Sequence, residues 1–271
     1  MAVSASSWKE LGDGVFTRRY RFFDQQIGVI VGDGAVAVID TRSTFRQAEE
    51  IKRDVAALTP VPVTTVINTH GHYDHAFGNR VFRPAAIWGH VRCKSMLELT
   101  AEQQRAGFIA EQPSMADEVN EVVIDPPDQL LEAEATLDVG GRPVELRYLG
   151  RGHTDNDIVV LAPDAFVLFA GDLVEAGATP FFGDGFPLDW PDTVERMLEI
   201  APDVVVPGHG DVGDRTFVES QLAEFRQIAD LARRVETGEL DLAEAMVAAP
   251  YPAAKAREPL ERALAQLRGG I

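Results

Sequence analysis

Asn68-Thr69-His70-Gly71-His72-Tyr73-Asp74-His75 is the stretch on which the reading of this chain turns. Three imidazoles and a carboxylate stand together directly after the apolar run Val63-Thr64-Thr65-Val66-Ile67. In extended backbone, residues two apart project to the same side, so His70 and His72 can reach one ion from the end of that strand. Asp74 and His75 are adjacent and diverge where the chain turns into a short helix, which suits a second ion beside the first. Zinc takes imidazole nitrogen at about 2.0–2.1 Å and carboxylate oxygen at similar range, usually with four ligands in all.

Further donors follow downstream. His153, Asp172 and His209 each come after a strand-like hydrophobic run, so five of the six histidines sit at turns after apolar segments. The sixth, His90 in Ile87-Trp88-Gly89-His90, belongs to no cluster and reads as a structural or pocket-rim residue.

The whole pattern resembles the metallo-β-lactamase superfamily. The matching residues are His70-Gly71-His72-Tyr73-Asp74-His75, Gly152-His153-Thr154, Ala170-Gly171-Asp172 and Pro207-Gly208-His209-Gly210. The resemblance runs from about residue 12 to about residue 212 and is far more specific for the superfamily than for any substrate. It implies a four-layer αβ/βα sandwich of two mixed β-sheets with helices outside and metals at one edge. It also implies that His70, His72 and His153 hold a first ion and that Asp74, His75 and His209 hold a second. Asp172 would bridge the two or lean on the second, and Asp74 would in addition move a proton from the attacking water to the leaving group. Two Zn²⁺ ions are expected, with Fe or Mn as alternatives.

Composition bounds what such a site can serve. The 271 residues suffice for one large domain, and 45% of them are hydrophobic. A formal net charge of −18, with no basic cluster beyond Arg18-Arg19-Tyr20-Arg21, argues against nucleic acid as a partner. No apolar run is long enough to span a membrane. The start, Met1 to Lys9, lacks the basic-then-apolar order of a secretory signal, and the lone Cys93 forms no intrachain disulfide, so a cytoplasmic location is expected.

Along the chain, a β-meander runs from Gly14 to Asp40 through a Gly32-Asp33-Gly34 turn. Thr44 to Leu58 has helical spacing, with Ser43 or Thr44 as N-cap. Ala85 to Trp88 reads as a strand, and residues 91–118 as a helical insertion lying over the site. Strands are expected at 136–139, 144–149, 158–161, 166–170 and 204–206, and a helix at 193–200. The helical tail, near 214–271 and split at Pro250-Tyr251-Pro252, is read as a cap or as a surface for a homo-oligomer. The chain is thus expected to be a single domain over 1–271.

Around the motifs, Asp40 ends an apolar strand and reads either as a partner that bonds a ligating histidine or as a turn residue before Thr41; Thr69 and Thr154 are weaker candidates for the first role. The aromatic stretch Phe181 to Trp190 reads either as a pocket wall or as a packed loop, and Tyr73, Phe77 and Trp88 are similar candidates. Tyr73 stands where iron-reducing diiron relatives carry an acidic ligand, which disfavours them.

The expected function is a binuclear zinc hydrolase that uses a metal-bridged hydroxide on an ester, thioester, lactone or amide of a small molecule. β-Lactamase activity is an alternative within the same fold, although Asp172 replaces the cysteine ligand of the zinc-dependent subclass and no lysine follows it to grip a substrate carboxylate. Thioester hydrolysis of the glyoxalase II kind fits less well, because Asp155 to Asp157 stand in place of its glycine and the tail is acid-rich. A mono-iron persulfide dioxygenase-like oxygenase is the alternative from another class. A non-catalytic scaffold would have lost ligands, and all seven are present.

Overall fold

The computed structural model describes residues 8–271, so the part of the amino-terminal reading that rests on residues 1–7 lies outside the described residues. The chain opens as an antiparallel meander of β1 (Lys9–Gly12), β2 (Val15–Tyr20), β3 (Gln25–Val31) and β4 (Val36–Ile39). Helix α1 (Phe45–Leu58) crosses over to β5 (Val63–Ile67), which pairs parallel with β4. Then come α2 (Tyr73–Ala76), β6 (Ala86–His90), α3 (Val91–Glu111), α4 (Ala116–Asn120) and β7 (Gln129–Leu131); β6 and β7 extend the sheet in parallel.

The second sheet starts with the antiparallel strands β8 (Glu134–Val139), β9 (Arg142–Tyr148), β10 (Ile158–Ala162) and β11 (Val167–Gly171). Helix α5 (Trp190–Glu199) crosses to β12 (Val204–Pro207), parallel to β11. Helices α6 (Arg215–Glu236), α7 (Leu242–Ala248) and α8 (Ala253–Leu267) follow. The sheet orders are β1-β2-β3-β4-β5-β6-β7 and β12-β11-β10-β9-β8, both mixed.

Burial on both faces explains why the central strands read as unbroken Val/Ile runs. In β4, Ala37 and Ile39 face the second sheet while Val36 and Val38 face α1, as the period of two requires. The layer between the sheets joins Ile30, Ile39 and Ile67 to Leu146, Val160 and Phe169. Each such side chain contributes about 1.5–3 kcal/mol on burial. Outside the first sheet, α1 lays down Ala48, Ile51 and Val55, one face of a 3.6-residue period. Outside the second, α5 and α6 do the same with Val194, Met197, Phe225 and Ile228. The result is the four-layer sandwich that the resemblance implied.

Thr44 caps α1, its Oγ1 accepting from the Gln47 amide at 3.2 Å, worth about 1 kcal/mol. Helix α3 lies over the motif loop as expected: Gln104 Nε2 donates to the Gly71 carbonyl at 3.1 Å, and Phe108 stacks on Tyr73 with centroids 4.7 Å apart.

The elements differ from the sequence reading at several places, the unforeseen β7 among them. β1 was not foreseen either. Helix α5 begins at Trp190, because Pro191 is tolerated in a first turn and the indole is fully buried. The tail is broken twice, at 249–252 as read and also at 237–241, where Gly238 takes a left-handed φ of 77°.

Candidate metal centre

Four loops leave one edge of the sandwich, after β5, before β10, after β11 and after β12. Backbone bonds fasten the sheets together there: the Gln26 amide to the Gly208 carbonyl, the Gly210 amide to Asp24 and the Ile158 amide to Thr69, each 2.8 Å. These loops carry all seven candidate residues into one cluster. His72 Nδ1 lies 3.0 Å from His70 Nε2 and 2.8 Å from His153 Nε2. Beside this first group, His75 Nε2 and His209 Nε2 are 3.3 Å apart, and Asp74 Oδ2 is 3.6 and 3.4 Å from them. Asp172 stands between the groups. One carboxylate oxygen is 3.3 Å from His75; the other is 3.3 Å from His209, 3.4 Å from His153 and 3.9 Å from His70.

Each ring is turned by a partner on its far side. Asp40 accepts from His75 Nδ1 at 2.8 Å, as foreseen, and also holds Thr69 through its amide and hydroxyl, both at 2.8 Å. With its own proton given to Asp40, Thr69 Oγ1 accepts from His70 Nδ1 at 3.2 Å. The Phe23 carbonyl accepts from His209 Nδ1 at 2.6 Å, and the Phe181 carbonyl from His153 Nδ1 at 3.1 Å. His72 is reversed: its Nε2 donates to Asp184 at 3.0 Å, leaving Nδ1 to face inward. Five outward N–H bonds thus leave the other nitrogen of each ring facing inward, where it offers a lone pair to a metal once any proton on it is released. Lone pairs set about 3 Å apart repel unless a cation lies among them. In addition, Asp172 Oδ1 is buried without a hydrogen-bond partner, an arrangement that costs about 1–3 kcal/mol or more for a charged group. Both features fit divalent cations.

Backbone conformation serves the same end. A Cβ on Gly208 would stand 1.8 Å from Asp172 Oδ1, so only glycine lets that carboxylate approach. Asp40 and Phe23 occupy the left-handed region at φ 65° and 58°. Aspartate visits it at modest cost, whereas phenylalanine does so only under constraint, here where its carbonyl meets His209.

The protein groups push one another's protons in opposite directions. Burial draws His153 down to about 4 and His70 well below the usual imidazole range. Burial also opposes charge on His209, but Asp172 and Asp74 outweigh it and raise it to about 10. His75 is raised well above its ordinary value in the same way. Burial would raise Asp172, yet His209, His75 and His153 hold it well below the usual carboxylate range. A site that keeps carboxylates ionised next to imidazoles is electrostatically suited to cations.

Sequence reasoning missed two acids. Asp184 orients His72. Glu175, buried and pushed up to about 8 by desolvation and then by Asp172, receives the Phe181 amide at 3.1 Å. His153, Asp172 and Glu175 offer donor atoms within 4.8 Å of one another. Acid at either position carries no local motif, and nothing in the sequence could have set it apart.

Other candidates resolve differently. Thr154 bonds Asp157, not a donor histidine. His90 is structural, its Nδ1 accepting from the Arg92 amide at the start of α3. Phe77 and Trp88 pack in hydrophobic clusters. The aromatic stretch divides: Phe182 and Trp190 are fully buried, whereas Phe181 is half exposed with its ring 6.1 Å from both His72 and His153. Phe23, Tyr73 and Phe108 pack on one another beside the motif loop, with Phe108 fully buried.

A sequence profile of the metallo-beta-lactamase superfamily matches residues 20–209. The chain belongs to that superfamily. Its relatives include the type 2 metallo-beta-lactamase of Bacillus cereus, 33% identical over 159 residues, which are 56% of this chain and 54% of that one. The chain therefore spans about half the length of that relative. The alpha subunit of 2,4-dinitroanisole O-demethylase from Nocardioides sp. (strain JS1661) is 28% identical over 66% of this chain and 51% of its own. Among solved structures, a metallo-beta-lactamase from Pontibacter korlensis superposes with a TM-score of 0.65 at 20% identity, covering 81% of this chain and 98% of its own. That likeness bears on the fold. No helix among the described residues is long and apolar enough to cross a membrane.

Proposed function

We propose that the protein is a binuclear zinc hydrolase that opens an ester, thioester, lactone or amide bond of a small molecule. In this reading His70, His72 and His153 hold one ion through Nε2, Nδ1 and Nε2. Asp74, His75 and His209 would hold the other, and Asp172 would bridge the two or lean on the second. The observation that carries the reading is the set of five inward ring nitrogens around a buried, unpartnered Asp172 oxygen. Bound there, two divalent cations would supply Lewis acidity and a water that ionises near pH ~7.

The remaining work falls to the chain. Asp74, its backbone carbonyl pinned by Gln25 Nε2, presents Oδ2 toward His75 and His209. It takes the proton of the attacking water and delivers it to the leaving group. Phe181, half exposed beside His72 and His153, offers an apolar contact that favours an apolar substrate body. The four lysines lie on β1, α1, α3 and α8, at positions 9, 52, 94 and 255. Arg19, Arg92 and Arg151, on surrounding segments, are paired with Asp24, Asp155 and Asp189. The site thus favours substrates without a carboxylate.

β-Lactam hydrolysis is the second reading, favoured by the Bacillus cereus relative. The whole chain acts as one domain, in the cytoplasm, on a small molecule and not on nucleic acid. A panel of aryl esters, lactones, thioesters and β-lactams, assayed with and without chelator, tests both readings. Chelator-sensitive turnover of uncharged substrates above β-lactams is expected; faster β-lactam turnover selects the second reading, and turnover indifferent to chelator defeats both.

A further inference from the structure

The loop between β11 and α5 orients two of the three histidines of the first group, His153 through the Phe181 carbonyl and His72 through the Asp184 carboxylate. This loop has little regular structure to hold it, and the Asp184 side chain is 44% exposed. What fixes it comes from the far end of the chain. Arg262 Nε donates to the Gly185 carbonyl at 2.7 Å, and its Nη2 to the Asp184 carbonyl at 2.8 Å. One turn on, Gln266 Oε1 accepts from the Leu188 amide at 2.9 Å. The residue whose carbonyl Arg262 grips is therefore the residue whose carboxylate turns His72.

Helix α8 is itself firmly seated, with Leu260, Ala263 and Leu264 in the core that it shares with α6. It lies beyond the residues that the family profile covers. We propose that Arg262 is a positioning residue for the metal centre, so that the carboxy-terminal helix is a working part of the site and not only a cap. The inference rests on the assignment of His70, His72 and His153 as one metal group. It requires that the guanidinium act through Asp184 on the Nε2–H of His72 and leave the second group untouched.

The test uses the full-length chain, metal-stripped and titrated with zinc against a chromophoric chelator, for wild type, Arg262→Ala, Arg262→Lys and Gln266→Ala. Imidazole N–H resonances of the zinc-loaded proteins are recorded in parallel. Removing a hydrogen-bond partner of a ligand typically lowers metal affinity about 10–100-fold, so a residue one step further out should cost about 3–10-fold. In Arg262→Ala that loss should fall on one zinc equivalent, with the His72 Nε2–H signal alone shifted or lost to exchange. Arg262→Lys should recover part of it, and Gln266→Ala should show a weaker form. Wild-type affinity with an unmoved His72 signal overturns the proposal, as does an equal loss at both equivalents. Should Arg262→Ala fail to fold, the lysine and Gln266 variants decide by the same two readouts. Wild-type protein that takes up no zinc defeats the reading of the site, and the inference with it.

Discussion

The two donor groups sit side by side but are held in different ways. In the second group, His75 is turned by Asp40, only 2% exposed at the end of β4, and His209 by the Phe23 carbonyl beside β3. Asp40 directly follows β4, and Phe23 lies in the short turn that joins β2 to β3, so both stand at strand ends of the first sheet. In the first group, His72 and His153 are turned by a partly exposed loop that α8 holds in place. One group is built by strands, the other by a loop and a distant helix. The second should tolerate loop changes and suffer from core changes; the first should do the reverse.

The largest effect comes from removing a ligand. His72→Ala should cut chelator-sensitive turnover by more than about a hundredfold and lower metal content, measured by assay and elemental analysis; unchanged turnover would exclude His72 from the site. Asp172→Ala comes next. Asp172 reaches two histidines of the second group at 3.3 Å but those of the first at 3.4 and 3.9 Å. Zinc titration of the stripped variant should therefore show the larger loss at the second group.

A conservative pair then addresses the contrast itself. Asp40→Asn should weaken the second group about 10–100-fold through His75 and the first by less through Thr69 and His70, whereas Asp184→Asn should weaken the first alone, by about tenfold or less, because Asp184 is more exposed. Equal losses in both variants would erase the distinction between strand-held and loop-held groups.

The last expected effect leaves the metal centre's occupancy alone and falls on the pH dependence of stability. Asp157 braces the turn after His153 through the Thr154 amide and hydroxyl, both at 2.7 Å, and burial pushes its carboxyl up to about 7. A raised acid favours the protonated folded state. Its contribution is full below the unfolded value near 3.8 and is lost as pH rises through about 7. Wild-type melting temperature should fall across that window, and Asp157→Asn should flatten the fall, a difference on the order of a few kcal/mol. Parallel curves for the two proteins would show that Asp157 does not titrate in this range.

The same contrast explains what could be read in advance. His70, His72, Asp74 and His75 were legible because one short segment carries them, and Asp40 because it ends a recognisable strand. The strand and helix pattern located most of the elements, whereas their stacking as a four-layer sandwich was implied by the family resemblance that the motifs carry. Asp184 and Glu175 were not legible: their roles depend on where an irregular loop folds back, which no periodicity encodes. Arg262 is further removed still, since it acts on a segment 77 residues away in sequence. The start of α5 was misplaced because Trp190 and Pro191 look like loop residues until the indole's burial is known.

Metal stoichiometry is the most direct test of the proposed binuclear centre. Elemental analysis of the purified chain should find two zinc equivalents, with hydrolysis lost on chelation and restored by zinc. One iron per chain with oxygen uptake, or no bound metal in a protein that still hydrolyses its substrate, would contradict it.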